Sequence, residues 1–370
     1  MKRFAIFGAV VAVLLTVGAS PASAQTPSSS AMATWQTNGR VYAVAYAGGR
    51  VYLGGSFTAV RSPDSASSTP RNHVAAFSAS TGELLAWNPD ADDTVRAIAV
   101  GPAGNVYLGG EFASVHGVKR LKLASVTPVL GSLRSWAPRA NALVRALALT
   151  PNGATVFAGG DFTSVNGITR RHVAAISTSG PVRKWYAGTT SNAGAFTNVT
   201  AISIAGTRVY LGGNFTAVRG VARRNSAAVS TSSGSVLSWH AWTPATILAI
   251  AHDDTRVYLG GRGSGGFFRA FSASTGALLW RGASDGDVQA LYLRAGELYV
   301  GGHFNTLRAT TRHHLAAVVP ATGALLEWQP SVNESVGVLA IAGDSGHVGV
   351  GGDFTVIGGR AQQDFGQFAG

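Results

Sequence analysis

The absence of cysteine from all 370 residues excludes disulfides, thiolate catalysis, Cys-ligated zinc, iron–sulfur clusters and covalently attached haem. With 48 glycines, two methionines and 12% charged residues the chain is poor in helix formers, while 46% hydrophobic content is ample for a core of short strands. The formal charge of +12 favours anionic partners such as acidic polysaccharide, wall polymers or lipid headgroups.

Residues 1–24 read as a secretory signal. Lys2 and Arg3 form a charged start, Phe4 to Val17 an apolar stretch, and Ala22-Ser23-Ala24 a small-residue site for cleavage before Gln25. The apolar run is short for a membrane span, so a secreted protein with no membrane span in its mature part is expected. Removing Lys2 and Arg3 from the +12 total leaves about +10. Residues 25–33 are small and polar, and are expected to be a flexible lead-in to a single domain over 34–370.

That domain is written in repeats. A Gly-Gly pair follows a short aromatic and aliphatic run at 54–55, 109–110, 159–160, 212–213, 260–261, 301–302 and 351–352, at intervals of 55, 50, 53, 48, 41 and 50 residues. A period near 50 built from strand-like pieces is the signature of a β-propeller with one blade per repeat. Each repeat offers four such pieces, in the first copy 41–46, 51–57, 73–78 and 84–87.

Seven of the eight tryptophans share one repeat position: Trp35, Trp87, Trp136, Trp185, Trp239, Trp280 and Trp328. Large aromatics at one point of every repeat are expected to pack between neighbouring blades. The seventh repeat stops at Phe365-Gly-Gln-Phe368, before any tryptophan, and the missing piece stands at Ala33-Thr-Trp35. The expected fold is therefore all-β, a seven-bladed propeller in which the N-terminal segment completes the last blade as a clasp. In the fifth repeat the loop after Gly260-Gly261 is cut short, which predicts one low lip on the ring.

The unit GG-[DENS]-F-x-x-V-x-G-x-x-R, with a later T-G-x-L-x-x-W, resembles the delta-60 repeat family of exported bacterial propeller proteins. The resemblance rests on residues 109–120, 159–170, 212–223, 301–312 and 351–360, with Thr81-Gly82, Thr275-Gly276 and Thr322-Gly323 ahead of tryptophan. It implies a scaffold without a shared catalytic set. Ala270 to Trp280 (AFSASTGALLW) is also similar to the tryptophan-docking motif of quinoprotein dehydrogenases. There the motif is itself a packing device, and it implies no quinone here. No cofactor is expected.

Two registers could carry chemistry. The residue after Gly-Gly is Ser56, Glu111, Asp161, Asn214, Arg262, His303 or Asp353. Turn capping is the favoured reading, and an acid–base or metal set at the ring's mouth the rival. Arginines recur at Arg71, Arg120, Arg170, Arg223 and Arg312, with Arg171 and Arg224 beside two of them. Residues in register lie on one face, so a basic rim of Arg120, Arg170, Arg171, Arg223, Arg224 and Arg312 is the candidate ligand site. The competing reading pairs each aligned arginine within its own blade, which leaves Arg171 and Arg224 as the better ligand contacts. Asp90, Asp92, Asp93, Asp285 and Asp287 lack the spacing of a calcium loop and are expected in solvated turns.

These features point to a secreted, monomeric, non-catalytic binding or scaffold module. Its expected partner is an anionic wall or extracellular polymer, or another protein, and nucleic acid is not expected as a specific one. The alternative is a polysaccharide hydrolase or lyase with carboxylates at the central mouth.

Overall fold

The computed structural model describes residues 26–192, 195–263, 266–333 and 336–370. The signal expected at 1–24 lies outside the described residues. Among the described residues every regular element is a strand, and no helix is long and apolar enough to cross a membrane.

Seven sheets follow one another, opened by strands Val41–Ala47, Val95–Val100, Val144–Leu149, Asn198–Ala205, Ile247–His252, Val288–Arg294 and Gly337–Gly343. In the first sheet Val41–Ala47 pairs antiparallel with Arg50–Gly55, which pairs in turn with Val74–Ser78. The middle strands bury almost every residue (VYLGG, TVFAGG, RVYLGG), so they read as unbroken apolar runs rather than alternating ones. The opening strand of each sheet packs against that of the next, and Gly337–Gly343 packs against Val41–Ala47.

The Gly-Gly pair makes this stacking possible. A Cβ on Gly109 would lie 2.7 Å from Cγ1 of Val144 in the following sheet, and one on Gly351 would lie 2.5 Å from Cγ1 of Val41. A Cβ on the second glycine would strike the carbonyl oxygen across its own sheet, as Gly110 would strike Thr94. Only glycine lets the strands approach this closely.

The fourth strand expected at 84–87 is reduced to a single bridge between Phe77 and Leu84. A full outer strand, Leu278–Gly282, is seen in the fifth sheet. At Trp87, Trp136 and Trp328 a proline two residues on has no N–H for a ladder, whereas Gly282 follows Trp280.

The loop after Gly-Gly folds into a small hairpin that periodicity did not predict. Ser114–Val115 pairs with Val118–Lys119, Ser164–Val165 with Ile168–Thr169, and Ala217–Val218 with Val221–Ala222. The two turn residues have positive φ (His116 51°, Gly117 68°; Asn166 52°, Gly167 75°), the conformation of a type I′ turn. The fifth sheet has no such hairpin among its described residues, as its short loop predicts.

Tryptophans lock sheet to sheet. The Trp87 indole N–H donates to the Thr127 carbonyl of the next unit at 3.0 Å, and Trp136, Trp185, Trp239 and Trp280 donate to Ser177, Ser230, Ser272 and Pro320. Each of the first four also meets a Tyr or Phe edge-on at 5.0–5.1 Å. Such pairs add about 1 kcal/mol beyond burial. For Trp328 the acceptor is the Ser28 carbonyl, 3.1 Å away near the other end of the chain.

Residues 25–33 were expected to be flexible, yet Ser28 and Met32 donate their N–H groups to Ala369 and Gln367, along the open edge of the last strand, Phe365–Ala369. Ala31 is buried there. The edge left unpaired by the truncated repeat is what holds this segment. Trp35, expected in the last strand of the last sheet, comes after this stretch. Its backbone N–H donates to the Gly82 carbonyl and its side chain packs with the core of the first unit, so residues 28–32 take the place expected for it. Deleting residues 26–32 should lower the melting temperature by on the order of 5–10 °C, as followed by circular dichroism. An unchanged melt would show that the segment contributes nothing to the last sheet.

Candidate functional site

The five aligned arginines act as clamps. Arg120 donates through Nη1 to the Lys119 carbonyl at 2.9 Å and through Nη2 to the Arg134 carbonyl at 3.1 Å. Arg71, Arg170, Arg223 and Arg312 make the same pair of bonds, each joining its own hairpin to the outer segment of the same unit. Burial pulls the Arg71 and Arg170 pKa values down from the usual arginine value. Among the candidate rim residues, then, Arg120, Arg170, Arg223 and Arg312 have donors committed to backbone carbonyls.

Arg171 and Arg224 differ. Both are exposed and occupy equivalent places in the third and fourth units. Their carbonyls accept from the Thr189 N–H and the Thr243 hydroxyl, while their guanidinium groups make no hydrogen bond or ion pair among the described residues. Arg171 lines a cleft of about 510 Å³ with Thr163, Thr169, His172, Thr190 and Ser191. His172 Nδ1 faces the Thr189 carbonyl oxygen at 3.1 Å and so carries the proton, leaving Nε2 as an acceptor. Burial lowers the His172 pKa, which keeps the ring neutral at neutral pH.

A second cavity, about 220 Å³, opens where the seven opening strands converge. Its lining includes Tyr42, Arg96, Arg145, Thr200, Leu248, Gln289 and Leu339. Each is the extra residue of a β-bulge: Val95 pairs with Gly110 and Ala97 with Gly109, leaving Arg96 unpaired between them, and the other six sheets repeat the shift. A bulge re-aims one side chain out of the pleat, here one per sheet into a common mouth. Arg262, in the fifth unit's short loop, completes the lining with its side chain 69% exposed.

The chain matches no known family profile and no curated protein. Among solved structures it is similar to the WD40 β-propeller domain of Doa1, with a TM-score of 0.59 at 9% identity, over 92% of this chain and 96% of that one. The fold is a β-propeller. A computationally designed protein, Ika8, aligns with a TM-score of 0.56 at 13% identity, over 93% of this chain and 100% of its own. At such identities the likeness bears on fold alone.

Of the residues after Gly-Gly, the three carboxylates pair with arginines rather than cap turns, and Asn214 donates through Nδ2 to the Phe196 carbonyl at 2.6 Å. Glu111 takes Arg96 Nε and Nη2 at 2.8 and 2.7 Å, Asp161 binds Arg145 in a two-pronged pair at 2.7 Å, and Asp353 binds Arg40 at 2.7 Å. His303 is exposed, and no cluster of three or more metal-ligating groups occurs among the described residues. Turn capping falls to other residues. Asp92 accepts the N–H groups of Ala113 and Ser114, and Asp285 those of Asn305 and Thr306. Burial opposes ionisation of Asp92, but these bonds outweigh it and hold the carboxyl below its usual pKa. A Val-x-Ala register in the opening strands, with Ile247 for Val in the fifth, was the available signal for the central mouth: its middle residue changes in type among the copies while its flanks stay apolar.

Asp364 carries a strained charge. It stands in the last blade where Asn225 stands in the fourth, both left-handed (φ 60° and 62°), and both accept a phenylalanine N–H, from Phe354 at 3.1 Å and Phe215 at 3.4 Å. Burial pushes the Asp364 carboxyl up to about 7, against the pull of the Phe354 N–H. A pKa raised on folding contributes stability that is full below the unfolded value and is lost as pH rises through about 7. Asp364→Asn should therefore raise the melting temperature at about pH 8, by on the order of 5 °C, and change it little near pH 4. Thermal melts across pH check this, and an equal shift at both values would contradict it.

Proposed function

We propose that this protein is an exported binding module of the delta-60 repeat type, a seven-bladed propeller closed by the segment 26–35, that engages anionic polymers through the face carrying its hairpins. The ring reading is supported by the packing of Gly337–Gly343 against Val41–Ala47 and by the Trp328–Ser28 bond. Export is supported by the signal-like residues 1–24.

The observation that carries the ligand reading is the pair Arg171 and Arg224. Each lies next to a clamped arginine, on adjacent blades, with its guanidinium exposed and unpartnered among the described residues. Clamping Arg170 and Arg223 to backbone carbonyls fixes the hairpin bases from which the free arginines project. The hydroxyl-lined cleft beside Arg171 suits a saccharide bearing carboxylate or sulfate groups, which need a cation for the charge and neutral donors for the remaining oxygens. The chain's net positive charge steers such a polymer toward the surface, over a screening length of about 8 Å at physiological salt. The polysaccharide hydrolase or lyase reading finds less support, because Glu111, Asp161 and Asp353 are each committed to an arginine.

The test is retention on a heparin column together with an array of acidic and neutral polymers read at two salt concentrations. The Arg171→Glu/Arg224→Glu variant should elute at clearly lower salt and lose most array signal, while melting as the parent does. Unchanged retention would overturn the assignment. Release of shorter products on the array would instead favour an enzyme.

A further inference from the structure

The central mouth has a chemistry different from that of the rim. Arg96 and Arg145 are turned into it by their bulges, but each is neutralised at its base by Glu111 or Asp161. Because Nε and Nη2 serve those ion pairs, the Nη1 groups keep their N–H donors unengaged. Glu111 takes both bonds from Arg96 on Oε1, so Oε2 remains an acceptor. The Gln289 amide, half-buried in the same lining, makes no hydrogen bond among the described residues and offers both a donor and an acceptor. Leu248 and Leu339 flank Gln289 in ring order and present an apolar surface.

We propose that this mouth binds a neutral sugar ring, such as the end of a saccharide chain. A hydroxyl can accept from a guanidinium Nη1 and donate to Glu111 Oε2 or Gln289, while the C–H face of the ring lies on the two leucines. A carboxylate would gain the same guanidinium contacts but would stand beside Glu111 and Asp161, whose charges cancel most of the attraction. The cavity, about 220 Å³, is smaller than the range typical of drug-sized ligands and fits a single ring rather than a long segment. At the fifth blade, which has no rim hairpin among its described residues, Arg262 edges the lining mostly exposed, with a 3.4 Å contact to Asp287.

The experiment is saturation-transfer NMR on residues 26–370 with glucose, galactose and N-acetylglucosamine, alongside glucuronic and galacturonic acids, at low and moderate salt. The expected result is transfer from at least one neutral sugar, with a Kd on the order of 1 mM and little salt dependence. Gln289→Ala should weaken it about tenfold, and Leu248→Trp, which fills the mouth, should abolish it without lowering the melting temperature. The Arg171→Glu/Arg224→Glu variant should bind the sugar as before, which separates this site from the rim. Transfer only from the uronic acids and suppressed by salt, transfer that survives Leu248→Trp, or none from any neutral sugar would each overturn the proposal.

Discussion

The close approach of each sheet to the opening strand of the next is the constraint on which the molecule rests. It requires a residue without Cβ twice in succession, because the first glycine faces a Val or Ile of the neighbouring sheet and the second faces a carbonyl of its own. The same two glycines lie opposite the bulge of the opening strand, where Val95 meets Gly110 and Ala97 meets Gly109. Packing between sheets and the direction of the residues at the mouth are therefore one feature seen from two sides. A propeller assembled this way cannot avoid sending one side chain per blade to its axis; what the sequence can choose is its chemistry. Here the choices are two arginines, a tyrosine, a glutamine, a threonine and two leucines.

Much of the fold was legible because repetition turns a weak signal into a strong one. A single VYLGG is a short apolar run of ambiguous type, whereas copies near a period of 50 with tryptophan in register specify the architecture. The deviations lie where local signals compete. The outer segment before each tryptophan reads as a strand, but in five units it is reduced to a single bridge, with a proline two residues after the tryptophan in three of them and none there in the third and fourth. The hairpins in the rim loops escaped notice because their strands are two residues long and their sign is the turn itself, His116-Gly117 or Asn166-Gly167. Ser28 to Met32 looked like linker because nothing local in TPSSSAMA marks a strand, and the pairing partner lies more than 330 residues away.

The candidate sites were half legible. Arginines in register can be seen in the sequence, but not whether each guanidinium faces solvent or its own backbone. That depends on the outer segment passing within reach, as the Leu85, Arg134 and Arg183 carbonyls do. The residues that stand apart from the register, Arg171 and Arg224, are the ones the structure leaves unengaged. The mouth was missed for the opposite reason. Its residues differ in type from blade to blade, so the repeated Val or Ile and Ala on either side mark the place but not the chemistry, and the bulge that aims them together cannot be read from the sequence.

Rim and mouth divide the electrostatics of one face between them. At the rim, exposed guanidinium groups act over a screening length, which is the basis of the proposed binding of a polyanion through many weak contacts. At the mouth, each arginine is joined to a carboxylate, so little net field remains and recognition falls to the direction of individual donors and acceptors. The pairs also explain how arginines can sit 29% and 30% exposed at a converging, partly desolvated point of the ring without repelling one another. Stacking adds to this, with the Arg96 guanidinium 4.0 Å from the centre of the Tyr42 ring. A polymer held along the rim by charge would bring its own neutral residues within reach of the axis. Salt should then govern how strongly such a chain is held, and hydroxyl stereochemistry should govern which chain is kept.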